Sequence, residues 1–235
     1  MPGTQGYAVV SCHVERPLDD RVWGRFLRLV RRRPAGFAIT ALLRAPFAGE
    51  DRTLFLARAR EAAALAPLGH HTHWTSPTDA RPTGGDPAAR VLEEGRWLRE
   101  QGLEPRFFCG GNWFVDADVL AAVAELGYAD CTATAWQPRF RPAAVLDQPA
   151  WIRLGDGRRV LELPTTHSLG AIARRLAGEL PRVVHVHFHD FELLDARRRA
   201  LLALVLRVLA RRRRPVELGA LGAEREIDWA DVCAA

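Results

Sequence analysis

The chain has 235 residues, 48% hydrophobic and 26% charged, ordinary proportions for a globular protein that exclude disorder as its main state. Its net charge is +5 and every one of its 33 cations is arginine. The runs Arg31–Arg33, Arg197–Arg199 and Arg211–Arg214 fall in or at the ends of helical stretches, where cations are favoured, and no stacking aromatics accompany them, so no nucleic-acid partner is expected.

Tyr7–Val14 predicts a strand. Asp19–Arg33 predicts a helix, with Val22, Phe26, Leu29 and Val30 on one face and Asp19–Asp20 as its cap. Phe37–Leu43 is a second strand, Asp51–Leu65 a second helix and Leu68–His73 a third strand. The loop Thr75–Gly85 is rich in Pro, Thr and Gly. The next helix is punctuated by Asp86 as cap, Pro87 in its first turn and Gly102 just past its end. Arg106–Phe108 is a brief strand, followed by the loop Cys109–Trp113. Val115–Leu126 is helical, with Gly127 as a left-handed stop. Tyr128–Ala133 and Arg158–Leu163 are strands on either side of an irregular, Pro-rich segment, Ala135–Trp151. Ser168–Leu180 is helical, Val183–His189 a strand and Leu193–Arg212 a long helix. Val216–Leu218 is the expected last strand.

This alternation predicts an α/β fold in one domain, residues 1–235 with a core of about 7–218, whose parallel sheet carries helices outside it. It fits a closed barrel or a doubly wound sheet. No apolar run is long enough for a membrane span. Met1–Tyr7 has neither a basic region nor an apolar stretch, so the expected compartment is the cytoplasm and no membrane partner is expected. Cys12, Cys109, Cys131 and Cys233 include no CxxC pair, and no disulfide framework is expected.

The eight histidines carry the functional signal. His13, His70, His71, His73, His185, His187 and His189 fall in or at the C-terminal ends of expected strands, and His167 follows one closely. The long helices carry none. In parallel α/β folds that end of the sheet holds the ligand site. Strand alternation puts Ser11, His13 and Glu15 on one face, His71 and His73 on one face with His70 turned away, and His185, His187 and His189 together. Glu15, His71 and His73 then form a two-histidine, one-carboxylate set suited to Zn, Fe, Co or Ni.

Five segments, Val9–Glu15, Gly69–Trp74, Phe107–Gly111, Gly127–Thr132 and His187–Asp190, resemble in order the five motifs of the NodB-type polysaccharide deacetylases, the family 4 carbohydrate esterases. The resemblance implies a distorted (β/α) barrel of about seven parallel strands. It also implies a hydrolase that removes acetyl groups from N-acetylated sugars or glycoconjugates with one divalent metal, zinc first and Co, Ni, Fe or Mn as alternatives. It places Glu15, His71 and His73 on the metal. His13 stands where the family has an aspartate base, and base, ligand and structural roles are all open to it. Cys109, with Arg106 nearby, stands where the third motif has an arginine. Asp130 would orient His189, which would protonate the leaving amine. Trp74, Trp113 and Trp136 would contact the sugar, with Cys109, Gly110, His167 and His187 lining its site. The alternatives are a non-catalytic carbohydrate-binding relative and another metal-dependent amidohydrolase. The latter class carries its HxH pair on the first strand, whereas here it is on the third. The sequence carries no indication of oligomeric state.

Overall fold

A computed structural model of the protein describes residues 6–132 and 146–233. In chain order the strands are β1 (Tyr7–Val14), β2 (Ile39–Arg44), β3 (Leu68–Thr72), β4 (Phe107–Gly110), β5 (Ala129–Asp130), β6 (Ala150–Arg153), β7 (Arg159–Glu162), β8 (His167–Ser168), β9 (Val183–His189), β10 (Arg214–Pro215) and β11 (Glu226–Asp228). The helices are α1 (Asp20–Arg32), α2 (Arg52–Ala63), α3 (Pro87–Glu100), α4 (Ala117–Glu125), α5 (Leu169–Arg175), α6 (Ala196–Arg212) and α7 (Trp229–Val232).

Side-chain caps fix where the helices begin. Asp19 accepts from the amides of Arg21 and Val22, Asp86 from Ala89, Asp116 from Val119 and Ser168 from Ala171. Each satisfies an amide that the first helical turn leaves without a partner. The strands order as β11-β6-β7-β5-β4-β3-β2-β1-β9-β8, with β10 beside β1. All pairs are parallel except the β6–β7 hairpin. One face of the sheet is apolar. Val10, Cys12 and Val14 of β1, Ile39, Ala41 and Leu43 of β2, and Val184, Val186 and Phe188 of β9 pack against the buried sides of α1, α2, α5 and α6.

Of the closed barrel and the doubly wound sheet that the alternation allows, neither is drawn in full: the strands form an open path, and the distorted barrel implied by the resemblance is not closed. β7 pairs with β5 and β8 pairs with β9, and both lie on one run of chain. Between them Leu163 N bonds Asp130 O and Thr166 N bonds His185 O, but no ladder forms. Pro164 has no amide hydrogen to continue one. Four expectations shift at the margins. Of the strand expected at Tyr128–Ala133, only Ala129–Asp130 are strand among the described residues. The expected strand Val216–Leu218 is met only by β10 just before it, and Leu218–Ala220 forms a 3-10 turn. Part of the expected irregular segment is strand β6, and β11 extends the sheet beyond residue 218.

The opposite sheet face is mixed. At one end Val9, Leu42, Phe107, Leu163, Leu218 and Leu221 form an apolar plug. Gly69 makes room for it, because a Cβ there would lie 2.3 Å from Leu42 Cδ2. Towards the strand C-termini this face turns to histidine.

Candidate metal and active site

Four strand ends converge. β1 brings His13 and, one residue past its end, Glu15; β3 brings His71 and, just beyond it, His73. β4 brings Cys109 and Gly110, and β9 brings His187 and His189. Register sets His13 beside His189. The Glu15 Oε1 atom is 3.4 Å from His73 Nε2, 3.5 Å from His189 Nε2 and 3.7 Å from His71 Nε2. The backbone of Glu15 is itself held. Its carbonyl accepts from Arg44 Nε at 2.9 Å, and Arg44 is buried with both terminal nitrogens on Glu50. The next amide, Arg16 N–H, donates to Asp190.

The histidine rings are locked from behind. His71 Nδ1 donates to the carbonyl of Cys109 at 2.8 Å and His73 Nδ1 to that of Pro77 at 3.0 Å. A neutral imidazole that donates from Nδ1 carries a lone pair on Nε2. Both Nε2 atoms are buried without a hydrogen-bond partner among the described residues, and both face a carboxylate oxygen. Lone pairs facing a carboxylate repel, and a cation between them satisfies all three donors. Tetrahedral zinc, with bonds of about 2.0–2.2 Å, separates its ligand atoms by about 3.3 Å. The observed 3.4 and 3.7 Å are close to that spacing, and a hydrogen bond on the far ring nitrogen is the usual support of a metal-binding histidine. Burial raises the pKa of Glu15, but the two histidines facing it outweigh burial and hold the carboxyl well below its usual range. Burial lowers His71. The trios His13/Glu15/His189 and His13/His71/Cys109 also bring three donor atoms within 4.8 Å of one another.

His70 lies on the other sheet face, where its Nε2 donates to Glu94 of α3 at 2.9 Å. Thr72 donates to the same carboxylate oxygen.

His13 and His189 are shifted in opposite directions. His13 is 3% exposed, its Nε2 has no hydrogen-bond partner among the described residues, and its ring centre is 4.6 Å from that of His71 and 5.1 Å from that of His187. Burial, then the neighbouring histidines, hold its imidazole well below the usual range, so it is neutral at pH 7. His189 also loses solvation to burial. Its hydrogen bond to Glu192, with the charges of Glu15, Glu192 and Asp190, lifts it above the ordinary value nonetheless. Burial and the histidines beside it push His187 down to about 3.

The other expected residues divide. Trp113 borders the cluster, its ring centre 5.2 Å from that of His13 and 4.8 Å from that of His187. It sits in a 3-10 turn where both Asn112 (φ 51°) and Trp113 (φ 57°) are left-handed, a costly conformation for side-chain-bearing residues. Gly111 lets that turn approach β3, since a Cβ there would lie 2.6 Å from Thr72 O. Trp74 is 6% exposed, donates from Nε1 to Gly111 O and packs on Phe114, so its ring is part of a core. Cys109 is buried, and desolvation followed by nearby carboxylates pushes its thiol well up. Gly110 abuts Phe114. His167 is buried beside Thr166, and its carbonyl bonds the ring of His187. Trp136 lies outside the described residues.

Asp130 is not brought to His189. Cys131 shares the interior cluster with Cys109, so its neighbour Asp130 points to the helix side, level with Phe108 and Glu162. There it accepts from Thr132 Oγ1 at 2.9 Å and bonds the side chain of Glu162. The carboxylate on His189 is Glu192, 3.2 Å from Nδ1. Sequence reasoning missed Glu192, Arg44 and Asp190. Only the capping-box spacing from His189 to Glu192 could have flagged the first.

No protein-family model and no curated protein matches this sequence. Solved structures do match. A family 4 carbohydrate esterase from Streptomyces lividans, in complex with acetate, is 14% identical with a TM-score of 0.53, and the match covers 94% of this chain and 98% of that one. A mutant of a family 4 carbohydrate esterase pseudoenzyme with restored enzymatic activity is 10% identical with a TM-score of 0.58, over 97% and 71% of the two chains. A 4-alpha-glucanotransferase from Thermococcus litoralis is 9% identical with a TM-score of 0.56, over 94% and 41%. This chain has the fold of the family 4 carbohydrate esterases in divergent form. That one fold serves an esterase, a pseudoenzyme and a glucanotransferase, so function rests on the site.

Proposed function

We propose that this protein is a metal-dependent deacetylase that hydrolyses the N-acetyl group of a sugar or glycoconjugate. The observation that carries the reading is a set of donors that calls for a cation, two buried imidazole nitrogens facing one carboxylate oxygen, with His13 and His189 beside it shifted in opposite directions, the first towards the neutral ring and the second towards the protonated one. Opposed protonation states are how one site runs base and acid chemistry at the same pH. Glu15, His71 and His73 would hold the ion, zinc being the choice that best suits two imidazoles and a carboxylate. When bound, it would polarise the amide carbonyl and favour ionisation of water.

The chain's own residues do the rest. His13 Nε2, neutral and facing the cluster, takes a proton from the attacking water. The water oxygen bonds to the carbonyl carbon, and the carbon–nitrogen bond then breaks. His189 Nε2 gives its proton to the departing nitrogen, so the products are acetate and a free amine. Trp113 borders the cluster where the acyl group would lie. The acetate-bound esterase of the same fold supports the acyl assignment. The replacement of the usual aspartate by His13, together with the pseudoenzyme of the same fold, favours as second reading a carbohydrate-binding protein without turnover.

The test is release of acetate from a panel of N-acetylated sugars, with and without a chelator. Turnover abolished by the chelator is expected. His13→Ala should keep its metal and lose about 10²–10⁴-fold in kcat. Sugar binding without acetate release, across the panel and across several metals, would establish the second reading instead.

A further inference from the structure

His189 leaves the sheet at the end of β9 and enters the 3-10 turn Asp190–Leu194. Glu192 in that turn folds back on it. Its Oε1 accepts both from the amide of His189, at 3.1 Å, and from the ring Nδ1, at 3.2 Å. Its other oxygen is 3.3 Å from Arg198 Nε, on the first turn of α6. The ring is also stacked on Phe191, its centre 5.1 Å away at 21°. Two contacts therefore fix the imidazole plane and one fixes its tautomer, and together they aim Nε2 at Glu15 and the cluster. No other carboxylate reaches Nδ1 among the described residues, and Asp130 lies on the far side of the sheet.

We infer that Glu192 is the positioning residue for proton delivery, holding Nδ1–H of His189 so that Nε2–H points at the leaving nitrogen. The inference rests on the deacetylase reading above. The step it serves is balanced. The electron pair of the carbon–nitrogen bond stays on nitrogen, the proton on His189 Nε2 moves to that nitrogen, and the ring is left neutral with Nδ1–H still on Glu192. A carboxylate three residues after the histidine moves with it as one unit, because the capping geometry ties the amide and the ring to the same oxygen.

A role in delivering a proton depends on the leaving group; a role in folding does not. An amine must be protonated to depart, whereas 4-nitrophenolate departs as the anion. The experiment compares Glu192→Ala and Glu192→Gln with the wild type, metal-loaded, on an N-acetylated sugar and on 4-nitrophenyl acetate. Glu192→Ala is expected to lose about 10–100-fold in kcat on the amide, with KM and metal content within about twofold and the aryl ester affected less than about threefold. Glu192→Gln keeps an acceptor oxygen for Nδ1–H and should recover most of the loss. Equal losses on both substrates, or an unchanged kcat on the amide, would overturn the assignment. A wild type that cleaves the ester but no amide overturns it too. A wild type that cleaves neither sinks the deacetylase reading, and this role with it.

Discussion

At the scale of single residues, the second motif shows how a pleat assigns chemistry. His70 and His71 are adjacent, yet one donates to Glu94 behind the sheet and the other aims Nε2 at Glu15 in front of it. Their substitutions should therefore fail in different ways. His71→Ala is expected to remain folded and lose bound metal. His70→Ala should keep the metal and lose stability, about 1–3 kcal/mol, because Glu94 and Thr72 each lose one hydrogen-bond partner. Metal analysis of the purified variants and denaturant titration check the pair, and full metal content in His71→Ala would remove it from the ligand set. The sequence made this distinction legible, since alternation along β3 needs only the count of residues. It did not make Glu192 legible. A carboxylate three residues after a histidine is common, and only the fold of the turn brings it back onto the ring.

At the scale of elements, β5 shows where sequence order misleads. Asp130 stands where the resemblance wants an orienting carboxylate, but β5 presents Cys131 to the interior and Asp130 to the helix side. Buried there with Glu162, its carboxyl is pushed up to about 6 by desolvation, against the hydrogen bonds that favour the charged form. Glu162 is pushed well up by burial and by Asp130. The sign follows. A carboxyl whose folded value exceeds its unfolded value of about 3.9 contributes stability below about pH 4, lost as the pH rises through about 6. Asp130→Asn keeps an acceptor for Thr132 and removes the titration. It should stabilise the protein by about 1–3 kcal/mol at pH 7.5 and leave it nearly unchanged at pH 4. Urea unfolding at the two pH values checks this, the buried histidines of β9 being common to both proteins. A variant less stable than wild type at pH 7.5 would show that the charge of Asp130 is needed where it lies.

At the scale of the whole molecule, the candidate metal site joins distant parts of the chain. Glu15 follows β1, His71 lies in β3 and His73 just beyond it, while His189 ends β9 and faces the same carboxylate. An ion bound there would link strand ends that lie far apart in the sequence. It binds the folded state and not the unfolded chain, so stability should rise with free metal, by about 2.7 kcal/mol at a hundred times Kd. Thermal unfolding with added zinc and with chelator checks it. A melting temperature indifferent to both, in protein shown to bind no metal, would leave the histidine cluster a purely structural feature. Among the described residues no helix is long and apolar enough to cross a membrane.

The sequence by itself determined the alternation of strands and helices, the caps at Asp19 and Asp86, and the face on which Glu15, His13, His71, His73, His187 and His189 lie. These are local properties, set by period, capping chemistry and pleat, and they need no knowledge of what packs where. Only the tertiary structure decided that the sheet stays an open path, because that turns on whether β7 and β8 share a ladder across Pro164. It also decided that Trp74 is core while Trp113 borders the site, since both depend on how the glycine turn at 110–111 seats against its neighbours. The orientation of Asp130 and the partner of His189 belong to the same class. Each follows from contacts between segments far apart in sequence, or from the return of a tight turn, and the capping-box spacing from His189 to Glu192 is the one trace of them in the sequence.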